Sequence, residues 1–157
     1  MSEIKRIKDQ LKRAFDGEAW HGPSVSEVLA GVTAEQAAAH PVTGAHSIWE
    51  IALHICAWER IGRKRIEEWV PMEVTPEEDW PPVPETSEHA WKNALNRLRL
   101  NHLALEEMIV RLDETRLQDQ VPGTPYNVYF LIHGVIQHDL YHAGQIALLK
   151  KAANPGN

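Results

Sequence analysis

Residues 131–151 read LIHGVIQHDLYHAGQIALLKK. Leu131, Val135, His138, His142 and Gln145 recur every three or four residues, with Ile146 and Leu149 alongside, and that period is helical. Extended outward, the pattern predicts a helix over Tyr126–Ala153. Pro125 suits a first helical turn, and Pro155-Gly156 stops the chain. Ala143 and Gly144 are small enough to let another helix approach closely.

The same reading upstream gives three more principal helices. Residues 48–60, IWEIALHICAWER, lie inside a long apolar-striped segment from Gly44 to Val70, ended by Pro71. Ser87 is an N-cap for a second long helix over Ser87–Leu112, with Trp91, Leu95, Leu98, Leu105, Ile109 and Leu112 on its stripe. An N-terminal helix over Ser2–Phe15 carries Ile4, Ile7, Leu11, Ala14 and Phe15. Short helices fit Val25–Ala30 and Ala34–Ala39, the second opened by a Thr33/Gln36 capping box. Met72–Glu85 reads as an extended loop around Trp80, and Asp113–Thr124 as a connection. No strand-type alternation and no internal repeat appears. Four amphipathic helices bury their stripes against one another, so the fold class is all-α, a four-helix bundle with long connections and one domain over residues 1–157.

Composition bounds the function. The chain has 157 residues, 43% hydrophobic and 24% charged, with a net charge of −6. That length suits one domain with a full core. An acidic surface repels phosphate backbones, so no nucleic-acid partner is expected. No segment reaches the ~20 apolar residues of a membrane span, and residues 1–15 are too charged for a signal peptide. One cysteine, Cys56, forms no intrachain disulfide. A cytoplasmic location is the expectation.

Nine histidines and six tryptophans stand out. His138 and His142 are four apart, about 40° around the helix, so both imidazoles can reach one metal ion. Histidines on a core-facing stripe need a partner or an ion. A third ligand comes from another helix in bundle metal sites, and His54 is the candidate, on the face of Ile51 and Trp58. The reading against it is a satisfied core histidine. His133 is rotated about 140° from His138 and faces elsewhere. His46 borders the site, and His102 is a candidate ligand or supporting partner. His21, His40 and His89 read as solvated. Cys56 points about 160° from His54 and reads as a small core or interface side chain.

Candidates for a catalytic role are Glu50, one turn before His54, and Gln145, beside the ligand stripe. For Glu50 the alternative is a solvated acid at a helix start. Asp139 either orients an imidazole or is a solvated flank residue. Trp58, Trp80 and Tyr141 either line a substrate pocket or, for the tryptophans, serve as core and cover.

These residues resemble the DinB/YfiT-like family. IWEIALHICAWER is similar to its pattern of a histidine amid apolar residues followed by an aromatic and an acid. HDLYHAGQ is similar to its H-x-x-x-H-x-G-Q helix, where chelation alone does not require the Gly-Gln. The resemblance covers nearly the whole chain. It implies a three-histidine site on His54, His138 and His142, a divalent ion such as zinc or nickel, and a homodimer. It also implies a small-molecule substrate, with low-molecular-weight thiols such as bacillithiol or mycothiol used by members of assigned activity.

Three neutral imidazoles leave a coordination position open, as catalytic sites do. Such a position acidifies water toward pKa ~7 or deprotonates a thiol. The function expected is a metal-dependent thiol transferase or hydrolase. The alternative is a non-catalytic, stress-associated metal-binding bundle.

Overall fold

Local capping chemistry sets where each helix begins. The computed structural model describes residues 2–153, so the expected Pro155-Gly156 stop lies outside the described residues. Seven α-helices occur among them: α1 (Glu3–Phe15), α2 (Val25–Leu29), α3 (Ala34–Ala38), α4 (Ile48–Glu67), α5 (Pro76–Asp79), α6 (Glu88–Arg111) and α7 (Val128–Ala153). Capping boxes open four of them, Ser24/Glu27, Thr33/Gln36, Ser47/Glu50 and Thr75/Glu78. Each satisfies two backbone N–H groups that a helix start leaves orphaned.

Several boundaries differ from the sequence reading; α4 ends at Glu67 rather than Val70, with Trp69 beyond it in the left-handed region at φ +52°. The expected start of α4 at Gly44 moves to Ile48, because Gly44 takes φ +79° and Ser47 stays extended as the cap. The Met72–Glu85 segment is not wholly extended, since Thr75-Pro76-Glu77-Glu78 nucleates α5 with proline in its first turn. The last helix starts at Val128 rather than Tyr126. The Tyr126 carbonyl accepts from Val121 N–H at 3.0 Å, Val128 N–H donates to the Asp119 carbonyl, and Asn127 Oδ1 accepts from Phe130 N–H. Pro125 therefore lies in the loop.

Helix α4 packs on α6 and α7, and α1 packs on the same two. The four long helices form a bundle in which α1 and α4 are diagonal. The short α2 leans on α7, and α3 on α4 and α6.

The core falls into two apolar halves. One gathers α2, α3, the start of α4 and the end of α7, around Trp49, Ile51, Ile55, Trp91 and Ile146. The other gathers α1 with the end of α4 and the start of α7, around Ile7, Leu11, Leu105, Ile109 and Ile132. Each fully buried side chain of this kind contributes about 1.5–3 kcal/mol. Along α4, α6 and α7 the boundary between the halves falls at Glu59, His102 and Asp139, all buried. A polar layer thus interrupts the core at mid-height. Gly62 lies one turn beyond Glu59, where an added Cβ would sit 3.0 Å from Val135 Cγ2, so α4 and α7 meet closely there.

Candidate metal centre

α4 and α7 bring three imidazoles to one point. His138 Nε2 lies 2.9 Å from His54 Nε2 and 3.1 Å from His142 Nε2. His54 and His142 are buried and His138 is half-buried. The spacing of four on α7 turns the His138 and His142 rings to a centroid separation of 4.3 Å, and the close α4–α7 contact supplies the third.

Burial favours the neutral form of all three rings. Burial, with the neighbouring His138 adding to it, lowers His54. Burial pushes His138 down to about 4. Burial, reinforced by His138, pushes His142 down to about 4. A neutral imidazole carries one N–H and one lone pair, and here the partners fix which is which. His54 Nδ1 lies 2.6 Å from the backbone carbonyl of Asp79. His142 Nδ1 lies 2.6 Å from Gln145 Oε1. Both Nδ1 atoms therefore donate outward, and both Nε2 lone pairs face the centre. Two lone pairs converging on His138 Nε2 make a set that could hold a cation. Bonds of about 2.0–2.1 Å would put two such nitrogens about 3.0–3.4 Å apart, close to the distances found. The residues present fit a divalent ion.

The segment after α4 closes the centre from outside. Trp80 stacks on His54 with centroids 3.8 Å apart and on His46 at 3.6 Å. Trp58 Nε1 donates to Asp79 Oδ1 at 2.7 Å. One residue, Asp79, thus sets the His54 ring through its carbonyl and is itself tethered through its side chain. The sequence reading missed that role. The Thr-Pro-Glu-Glu helix start before Asp79 is the signal that pointed to it.

Comparison with known families then places the chain. The DinB superfamily model matches residues 20–146, most of the sequence and all three histidines. The chain belongs to the DinB superfamily. No curated protein and no solved structure matches it. Metal binding is typical of the DinB superfamily, in keeping with the donor set described above.

Within this DinB-superfamily bundle the other candidate residues are distributed as follows. Gln145 joins the centre as the partner of His142. Glu50 does not; its Oε2 accepts from Ser47 N–H at 2.7 Å and lies 3.1 Å from His40 Nε2 and 3.5 Å from His46 Nδ1. His40 is exposed, as read, but paired. Cys56 is buried, with Asn101 Nδ2 at 2.9 Å from its sulfur. Trp58 is half-buried at the centre's edge, 6.1 Å from the His138 ring. His102 is buried and does not join the three rings; it stacks on Phe15 and contacts Glu59 at 2.6 Å. Asp139 is no solvated flank residue. It is 0% exposed, and Oδ1 lies 3.9 Å from His138 Nδ1.

A pocket of about 410 Å³ opens beside the centre, lined by His46, Ile51, Trp80, Tyr141, His142 and Leu148 among others. Its lining is mostly apolar, and includes the imidazoles of His46 and His142 and the Gln145 side chain. A larger cleft of about 760 Å³ runs along α4 and α6 past Cys56, Arg60 and Arg97; none of the three histidines lines it.

Proposed function

We propose that this protein is a metal-dependent enzyme acting on a small organic molecule at the His54–His138–His142 centre, as a thiol-dependent transferase or a hydrolase. The observation that carries this reading is the pairing of His54 Nδ1 with Asp79 and of His142 Nδ1 with Gln145. These contacts leave both Nε2 lone pairs inward before any ion arrives. Three protein ligands leave room for a further one.

A bound divalent ion supplies Lewis acidity, lowering the pKa of a coordinated water or thiol. The chain's residues do the rest. His54, His138 and His142 hold the ion in a half-buried setting where charge interactions are strong. Gln145 and Asp79 keep two of the rings in one tautomer. Trp80 and Trp58 exclude water from the α4 side. The pocket beside His142 takes the apolar part of the substrate against Ile51, Tyr141 and Leu148, directing its reacting end toward the ring. A thiol serves as nucleophile or a water does; both use the same three ligands. Zinc and nickel suit an all-imidazole set. The protein works as a homodimer in the cytoplasm.

The test is turnover by untagged, zinc- or nickel-loaded protein against a panel pairing bacillithiol, mycothiol or glutathione with electrophilic acceptors, beside a panel of hydrolysable esters and amides. Turnover that disappears in His138→Ala, while the fold persists, supports the reading. Metal-loaded protein that turns over nothing and binds no thiol removes it and leaves a non-catalytic metal-binding bundle.

A further inference from the structure

The polar layer at mid-height of the core has chemistry that the three-histidine centre leaves unused. Glu59 of α4, His102 of α6 and Asp139 of α7 are 0%, 1% and 0% exposed. His102 Nδ1 lies 2.6 Å from Glu59 Oε1, and the Glu59 and Asp139 carboxyls are within hydrogen-bonding reach of one another when one of them carries a proton. With both carboxyls ionised, Glu59 Oε2, His102 Nε2 and both oxygens of Asp139 meet no partner. Native interiors satisfy nearly all such atoms, and here four orphans share one level of one core. The ion-pair partners of the two carboxylates are histidines, His102 for Glu59 and His138 for Asp139.

We propose that Glu59, His102 and Asp139 form a second, fully buried site for a divalent cation. One ligand atom from each lies within 4.8 Å of the other two, and three helices supply them. Asp139 is the decisive member. It is closed off from solvent, as a carboxylate it meets no donor at either oxygen, and one of its oxygens lies within reach of both Glu59 and His102. Two carboxylates balance a 2+ charge, which removes the penalty of burying them as unpaired ions. One imidazole with two carboxylates suits manganese, iron(II) or zinc rather than a soft ion. His138 and Asp139 are adjacent in α7, so the helix offers one side chain to each centre. The buried ion ties α4, α6 and α7 together and enters as the chain folds.

The chemical alternative is a proton shared between the two carboxyls. Metal counting separates them. Untagged protein would be produced in medium supplemented with Mn²⁺ or, separately, Zn²⁺, and its metal measured per chain for wild type, His54→Ala, Glu59→Gln, His102→Gln and the double variant His54→Ala/Glu59→Gln. The proposal predicts two ions per chain in wild type, one in each single variant and none in the double. Mn²⁺ held by His54→Ala would show an electron paramagnetic resonance signal altered from the aqueous ion, and this readout needs no substitution in the layer. The proposal is overturned if His54→Ala holds no metal, or if Glu59→Gln and His102→Gln hold as much as wild type. A protein that keeps its ion in His54→Ala but never binds a second supports the buried site and counts against the three-histidine centre, so the two failures are distinguishable.

Discussion

His54 Nδ1 and the backbone carbonyl oxygen of Asp79 are 2.6 Å apart. A carbonyl accepts only, so the ring's proton must be on Nδ1 and its lone pair on Nε2, toward His138 and His142. The orientation of a ligand on α4 therefore depends on a four-residue helix in the segment that follows it. Asp79→Ala keeps the carbonyl but frees Trp58 Nε1 and loosens α5. The expected result is a metal affinity about 10-fold weaker, read by competition with a chromophoric chelator, with little change in helical content.

Gln145 does for His142 what Asp79 does for His54, at the same distance of 2.6 Å. Gln145→Leu removes the acceptor and frees the tautomer. Metal affinity should fall about 10–100-fold. Gln145→Glu keeps an acceptor in place and should recover most of it. Equal losses in both variants would mean that the side chain acts through packing instead.

Acid should act on the metal-free protein through these rings. His142 in the fold takes its proton only near pH 4, whereas an unfolded chain takes it up near pH ~6.5. Between those values the unfolded state binds more protons, so stability is full above about pH 6.5 and is lost as pH falls toward 4. Urea midpoints of chelator-treated protein should therefore drop across that window. The drop should be smaller in His142→Gln, and the difference between the two proteins isolates this ring from the other titrating groups.

Much of this architecture is legible in the sequence. The HxxxH of the last helix, the isolated His54 in an apolar run and the Ser87 cap each express a local rule, a period or a cap, that tertiary structure had no reason to override. What the sequence reading missed depends on contacts between distant segments. Asp79 looks like one acid among several until α5 places its carbonyl under His54. Asp139 beside His138 looks like a flank residue, because periodicity along one helix does not show that α4 and α6 bury that flank too. Glu59 is the acid near the end of the IWEIALHICAWER run, and nothing along α4 alone shows that it is buried against the opposing His102. Glu50 lies one turn from a ligand, but its own cap at Ser47 is nearer.

Close packing of α4 on α7 positions His54 against His138, and Gly62 is where that closeness is set. Gly62→Ala puts a Cβ 3.0 Å from Val135 Cγ2. The expected cost is about 1–3 kcal/mol of overpacking, partly offset by alanine's better helix propensity. Denaturant unfolding would show it. Metal affinity should fall as well, because the two helices must separate slightly. Val135→Ala in the same chain should restore both.

The most direct measurement is anomalous diffraction at the zinc and nickel edges from crystals of untagged protein. The expected result is a peak about 2.0–2.1 Å from Nε2 of His54, His138 and His142 together. Density-clear imidazoles with no anomalous peak among them, in protein whose solution carries the metal, would contradict it.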